Sequence, residues 1–196
     1  MTTKNYQNKS VIFVKHPQGL PLPGQHLAVK NDTQEVDLKE GELLLRNLLV
    51  SVDPYLLERM NGIKDLYIPS FELGHPLDSN GVSEVVESKN DKFPVGSVVI
   101  GSIRWENYTV VGVNNDLKHI PNARESKLPL SNYIGVLGMP GLTAYGGLLK
   151  YGSPKAGETL FVSSALELLV NSLVRLPSNL VSEWLEVLAV MIRSIT

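Results

Sequence analysis

Cysteine is absent from this chain, and that absence excludes disulfides, thiolate nucleophiles and cysteine-ligated zinc together. An excess of either charge is missing too. Eighteen basic residues stand against 20 acidic ones, a formal net charge of −2, which gives no reason to expect nucleic acid or an acidic membrane surface as a partner. No run approaches the ~18 consecutive apolar residues of a membrane-spanning helix, and Met1 to Asn8 is polar rather than signal-like. No G-x-S-x-G, P-loop or H-E-x-x-H occurs. His16, His26, His75 and His119 form no i, i+4 pair, so no metal site is expected. What is present is a chain of 196 residues, 43% of them hydrophobic, enough for one domain and part of another. The composition points to a cytoplasmic, reduced-compartment globular protein.

From Ser10 to about Val113 short apolar runs alternate with turns. Strands are expected at Ser10–Val14, Glu42–Val52, Gly81–Ser88, Val98–Ser102 and Tyr108–Val111, which suggests a rolled or barrel-like β domain. Near residue 130 the signal changes. Ser131 or Asn132 can cap a helix through Tyr133, and Gly141 to Leu149 reads as helical despite its glycines. A turn at Pro154–Glu158 then feeds a strand at Thr159–Ala165, as at the opening of a βα nucleotide-binding unit. Beyond it, Leu166, Leu169, Val170, Leu173 and Val174 form one helical stripe. Leu180, Val181, Trp184, Leu185, Leu188 and Ile192 form a second after Pro177, so the tail is expected to be an amphipathic helical hairpin.

Three stretches could carry chemistry. In Ser51-Val52-Asp53-Pro54-Tyr55, Pro54 fixes its own φ and keeps Asp53 extended, so a strand end turns sharply and projects Tyr55. In Leu137 to Tyr145 the small residues allow backbone to approach backbone, or a flat ligand, closely. The third is Gly74-His75-Pro76 with Gly81. Read locally, each is also explained by turn chemistry and packing.

Their order is more informative than any one of them. Asp53-Pro54-Tyr55, Phe71-Glu72-Leu73-Gly74, Val85-Val86-Glu87-Ser88, Trp105-Glu106-Asn107-Tyr108, Leu137 to Tyr145 and Gly157-Glu158-Thr159 together resemble the medium-chain dehydrogenase/reductase superfamily. The nearest branch is the zinc-independent alkenal double-bond and prostaglandin reductases. The resemblance covers roughly residues 8–165.

It implies an α+β, mainly β architecture, with a GroES-like β domain over 1–125 followed by connecting helices and the first strand of an incomplete Rossmann domain over 126–165. The atypical leucine-rich tail over 166–196, read as helical from its periodicity, departs from the family pattern. The resemblance also implies NADP as cofactor, a small enal or enone as substrate, and a possible homodimer. Its members deliver hydride to the β-carbon of the double bond, with donors near the carbonyl oxygen stabilising the developing enolate. Tyr55 would line the substrate and nicotinamide pocket, and Met139 and Thr143 would sit against the nicotinamide. The family pattern continues D-P-Y with a hydrophobic residue and then arginine. Here Leu56 and Leu57 follow, leaving position 57 without that charge.

After Ala165 the family pattern has a glycine-rich turn whose backbone N–H groups hold the pyrophosphate. Leu166-Glu167-Leu168-Leu169 stands here instead. Residues 166–175 can be encoded CTG GAG CTG TTG GTC AAC TCG TTG GTC AGA. Read from the last base of the Ala165 codon, taken as T, the message becomes S-G-A-V-G-Q-L-V-G-Q. With permitted codons it continues I-A-K-Q-L-G-L-R-V-V-G-S-V-G-S-D-D-K-V-D-Y to Thr196. The tail therefore reads as an out-of-frame translation of a Rossmann segment. Such a chain is expected to have lost most of its activity, and the alternative is a non-catalytic interaction module.

Overall fold

A computed structural model of the chain describes residues 3–63, 67–112, 116–153, 155, 159–163 and 183–187. They divide into two compact units, Met1–Leu130 and Ser131–Thr196.

The first unit is built almost wholly from antiparallel strands. β1 (Lys4–Phe13) pairs with β2 (Leu27–Val36) along its whole length, from Lys4↔Val36 to Phe13↔Leu27. β3 (Leu43–Val50), β4 (Asp78–Ser88), β5 (Val98–Arg104), β6 (Tyr108–Val111) and β7 (Lys118–His119) form one sheet in the order β6-β3-β4-β5-β7. Register shifts at Leu44/Leu45 and Asn47/Leu49 insert bulges that sharpen the sheet's twist. The other side of β1 is closed onto that sheet. Val11 N–H donates to Trp105 O at 2.8 Å, Asn107 N–H to Lys9 O at 3.0 Å and Leu77 N–H to Val11 O at 3.1 Å. The expected rolled β domain is thus formed, with β1 bonded along both edges.

Besides the two-residue β7, two elements of this unit are not legible in its hydrophobic pattern. β2 is polar at Lys30-Asn31-Asp32-Thr33-Gln34-Glu35 and largely exposed; it exists because β1 offers it a full ladder of backbone partners. The same ladder extends β1 back to Lys4. The turn expected after Pro54 is followed by a short helix, α1 (Tyr55–Met60). One core cluster joins β1 to this helix: Phe13, Leu56, Met60, Phe71 and Leu77 are buried together, with Tyr55 and Trp105 packed against them. A second gathers Leu43, Leu45, Val85, Val99, Ile103 and Leu117 inside the main sheet.

The second unit opens with α2 (Ser131–Ile134) and α3 (Met139–Gly146), followed by a π-helical segment, Gly147–Gly152. β8 (Thr159–Ser163) then pairs in parallel with β9 (Glu183–Val187), from Thr159↔Glu183 to Ser163↔Val187. This corrects the helical expectation for the tail over Glu183–Val187. The 3.6-residue stripe there is overridden by backbone pairing, because the open edge of β8 presents unpaired N–H and C=O groups that a second strand satisfies. The rest of the expected hairpin, including Leu166 to Leu180, lies outside the described residues.

Candidate active site

The end of β3 delivers the chain into Ser51–Tyr55. Ser51 Oγ donates to Asp53 Oδ2 at 2.7 Å, fixing the turn before the helix. Pro54, with φ −56° and ψ −34°, caps α1, a position where its missing N–H costs nothing. Leu56 N–H returns to Asp53 O at 3.1 Å. Tyr55 is therefore the first residue of the helix, half-buried on the Phe13 cluster. Burial pushes its phenol above the ordinary tyrosine range, the Asp53 and Asp78 carboxylates push it further, and Arg59 opposes them. At neutral pH the hydroxyl keeps its proton and can donate.

Arg59 is the residue that sequence reasoning missed. It lies one helical turn beyond Tyr55 and its side chain is only 9% exposed. Nη1 and Nη2 grip Asp78 Oδ2 and Oδ1 at 2.9 and 3.0 Å, Nη1 also reaches Asp78 O at 3.1 Å, and Nε donates to Pro69 O at 2.8 Å. The guanidinium covers the Phe71 ring at 3.9 Å. The i, i+4 spacing of Tyr55 and Arg59 was the available signal, but the partner Asp78 is visible only in the fold.

Met139 and Thr143 are brought together on α3. Thr143 Oγ1 donates to Met139 O at 2.8 Å, and both side chains are exposed. α3 buries Pro140, Gly141 and Ala144 and leaves Met139, Leu142 and Tyr145 open to solvent. A Cβ on Gly141 would lie 1.7 Å from Val136 O, so this glycine serves backbone–backbone approach. Tyr55 is grouped instead with Asp53, Arg59 and Asp78 in the first unit.

The remaining motifs have structural occupations. His75 lies 3.8 Å from Glu72, both exposed, and Gly74 has φ +82°. His16 Nδ1 lies 2.7 Å from Met60 O at the end of α1, and His26 Nδ1 accepts from Leu22 N–H at 2.9 Å. Among the described residues no group of three or more His, Asp or Glu could hold a metal ion, and no helix is long and apolar enough to cross a membrane. Glu106, from the Trp105–Tyr108 motif, accepts from Asn8 Nδ2 at 3.2 Å through Oε2, while its Oε1 is buried without a partner. Burial pushes this carboxyl above its ordinary range, against the hydrogen bonds from Thr109 and Asn8.

Residues 9–120 match the family described as the N-terminal domain of oxidoreductase. The chain belongs to this family. Within it, the similarity is to the zinc-independent, NADP-dependent reductase branch of the medium-chain superfamily. A 2-alkenal reductase (NADP(+)-dependent) from Nicotiana tabacum is 40% identical over 160 residues, 81% of this chain and 46% of the relative. Prostaglandin reductase 1 from Mus musculus is 39% identical over 159 residues, 81% of this chain and 45% of the relative. The crystal structure of CurA in complex with NADPH from Vibrio vulnificus superposes with a TM-score of 0.73 at 27% identity, covering 89% of this chain and 50% of that one. The chain thus spans about half the length of the reductases it matches.

Proposed function

We propose that this chain carries the substrate-facing part of an NADPH-dependent reductase of the carbon–carbon double bond in α,β-unsaturated aldehydes or ketones. The observation that supports this most directly is Tyr55: a half-buried phenol, kept protonated, at the tip of a helix beside Asp53 and Arg59. Such a hydroxyl can donate to the carbonyl oxygen of an enal and orient its double bond, while the Phe13–Phe71–Leu77 cluster beneath excludes water. The chain's similarity to alkenal and prostaglandin reductases supports the substrate class.

The residues fit the cofactor on one side and not on the other. Met139 and Leu142, apolar and exposed on α3, suit a flat nicotinamide ring, which when bound supplies the hydride. Thr143 keeps its hydroxyl proton on Met139 O and has lone pairs free to accept from a carboxamide. The diphosphate side is different in chemistry. Leu166, Glu167, Leu168 and Leu169 offer bulk and a negative charge where backbone N–H groups are needed. We therefore read the polypeptide as written as inactive or nearly so, with its dinucleotide affinity lost.

Calorimetric titration with NADPH, paired with a turnover assay on a reactive enal, tests this. The expected result is no tight capture and no turnover above background. Ordinary enzyme rates from the 196-residue chain would contradict it. The codons for residues 166–176 are expected to spell a glycine-rich turn in the alternative frame, and sequencing the locus checks that.

A second reading has an observation in its favour. Leu142 is 72% exposed and Tyr145 53%, an apolar face of the kind that promotes association. On that reading the chain is an interaction module and a possible homodimer. Size-exclusion behaviour with and without residues 166–196 separates the two.

A further inference from the structure

We infer that Arg59 and Asp78 form a positioning pair for Tyr55, a guanidinium fork that anchors α1 to the first residue of β4 and so sets how the phenol is presented. The inference rests on the reading of Tyr55 as a pocket residue. Six residues of helix are too few to hold their own direction, since isolated helices shorter than ~12–15 residues are marginal, and α1 has no side-chain cap at its N-terminus. Its orientation must come from outside.

Arg59 supplies it from three sides. Two of its N–H groups meet both carboxylate oxygens of Asp78, a bidentate arrangement that fixes angle as well as distance. Nε holds Pro69 O, and the Arg59 carbonyl accepts Phe71 N–H at 2.9 Å, so residues 69–71 are clamped to the same helix. Phe71 in turn closes the guanidinium face. Asp78 cannot drift, because it pairs with Arg104 at the start of the β4–β5 ladder.

Tyr55 sits at i−4 from Arg59, on the same side of α1. The charged groups that act on its hydroxyl are Asp53 before the helix, Arg59 on it and Asp78 on β4. Any loosening of the fork moves two of these three relative to the phenol. A lysine at position 59 would keep the charge but could not make the fork.

The test uses the intact chain with ring-labelled tyrosine, the Tyr55 signal among the seven tyrosines being identified by Tyr55→Phe. In Asp78→Asn, which preserves shape, the Tyr55 titration is expected to move to lower pH, because a carboxylate that opposes the phenolate is gone. In Arg59→Lys the Tyr55 resonance is expected to shift while its titration moves less. Folded variants that melt earlier yet leave the Tyr55 signal and titration unmoved would show a merely structural pair and overturn the inference.

Should either variant fail to fold, the unsubstituted chain still decides. Its Arg59 Nη protons are expected to be separately resolved, with contacts to the Phe71 ring; averaged, fast-exchanging Nη signals would overturn the fork. Adding cyclohex-2-enone to the parent chain tests the pocket by itself. A Tyr55 signal that ignores the enone but follows Arg59 and Asp78 removes the pocket and leaves the anchoring intact.

Discussion

Glu106 is where a single side chain has a measurable consequence for stability. Its carboxyl is raised by burial, and Oε1 has no partner, so the folded chain binds a proton there more tightly than the unfolded one. Stability from this group is full below the ordinary carboxylate range and falls as pH rises through the raised value. Glu106→Gln is therefore expected to raise the melting temperature at pH 7 and to flatten the decline between pH 4 and 7, as thermal melts across that range will show. The opposite sign operates at Glu87. Burial alone would raise Glu87, but the Tyr6 hydroxyl, which donates to it, and Lys4, 3.0 Å away, outweigh that and lower it. Its contribution is present above the usual range and is lost as pH falls through the depressed value. Tyr6, pushed up to about 12 first by burial and then by Glu87, contributes below pH ~10 and loses that contribution as pH climbs towards the raised value. Tyr6→Phe should cost about 1 kcal/mol at neutral pH and shrink both the acid and the alkaline losses, read by urea denaturation at pH 3, 7 and 11.

At the scale of elements, β4 is the strand on which the first unit depends, pairing with β3 on one side and β5 on the other. Gly81 is its point of closest approach: a Cβ there would lie 2.5 Å from Leu49 O and 2.3 Å from Ile103 Cδ1. The isoleucine can turn, whereas the carbonyl of β3 cannot. Gly81→Ala is expected to destabilise the domain by about 3 kcal/mol, the upper end of overpacking costs, measurable as a lowered urea midpoint at unchanged m-value. Elements were legible where they carry their own hydrophobic signal. β3, β5 and β6 lie where Leu43–Val50, Val98–Arg104 and Tyr108–Val111 alternate or run apolar. β2 was not legible, because a strand made of Lys30 to Glu35 has no apolar face and depends on the edge of β1. α1 was hidden because Pro54 signals a turn and a helix start equally well, and only Leu56 and Met60 reaching the Phe13 cluster decide between them. β9 was misjudged as helix for the converse reason: a stripe with period 3.6 was present, but a strand edge was nearby.

For the whole molecule, the division at Leu130/Ser131 separates a unit whose main sheet is hydrogen-bonded to β1 from one whose strands, among its described residues, form a single parallel pair. Parallel sheets are usually covered on both faces, and the reductases this chain resembles are about twice its matched length. Replacing residues 166–169 by Ser-Gly-Ala-Val in this chain is expected to raise NADPH affinity over the parent by about tenfold, since Glu167 is removed and backbone can approach phosphate. Isothermal titration of the two chains side by side gives the ratio, and equal binding would overturn that expectation.

The residues alone determined the class of fold and the family and singled out Tyr55, Met139 and Thr143 as candidates, because strand alternation, Pro and Gly turns and ordered motifs are local properties that survive without contacts. Only the tertiary structure decided what surrounds them. The Arg59–Asp78 fork spans 19 residues of sequence, Glu106 Oε2 takes its hydrogen bond from Asn8, 98 residues away, and β9 exists through its pairing with β8. Charge partners and ladder edges are chosen by proximity in space, and no local pattern of side chains encodes that proximity.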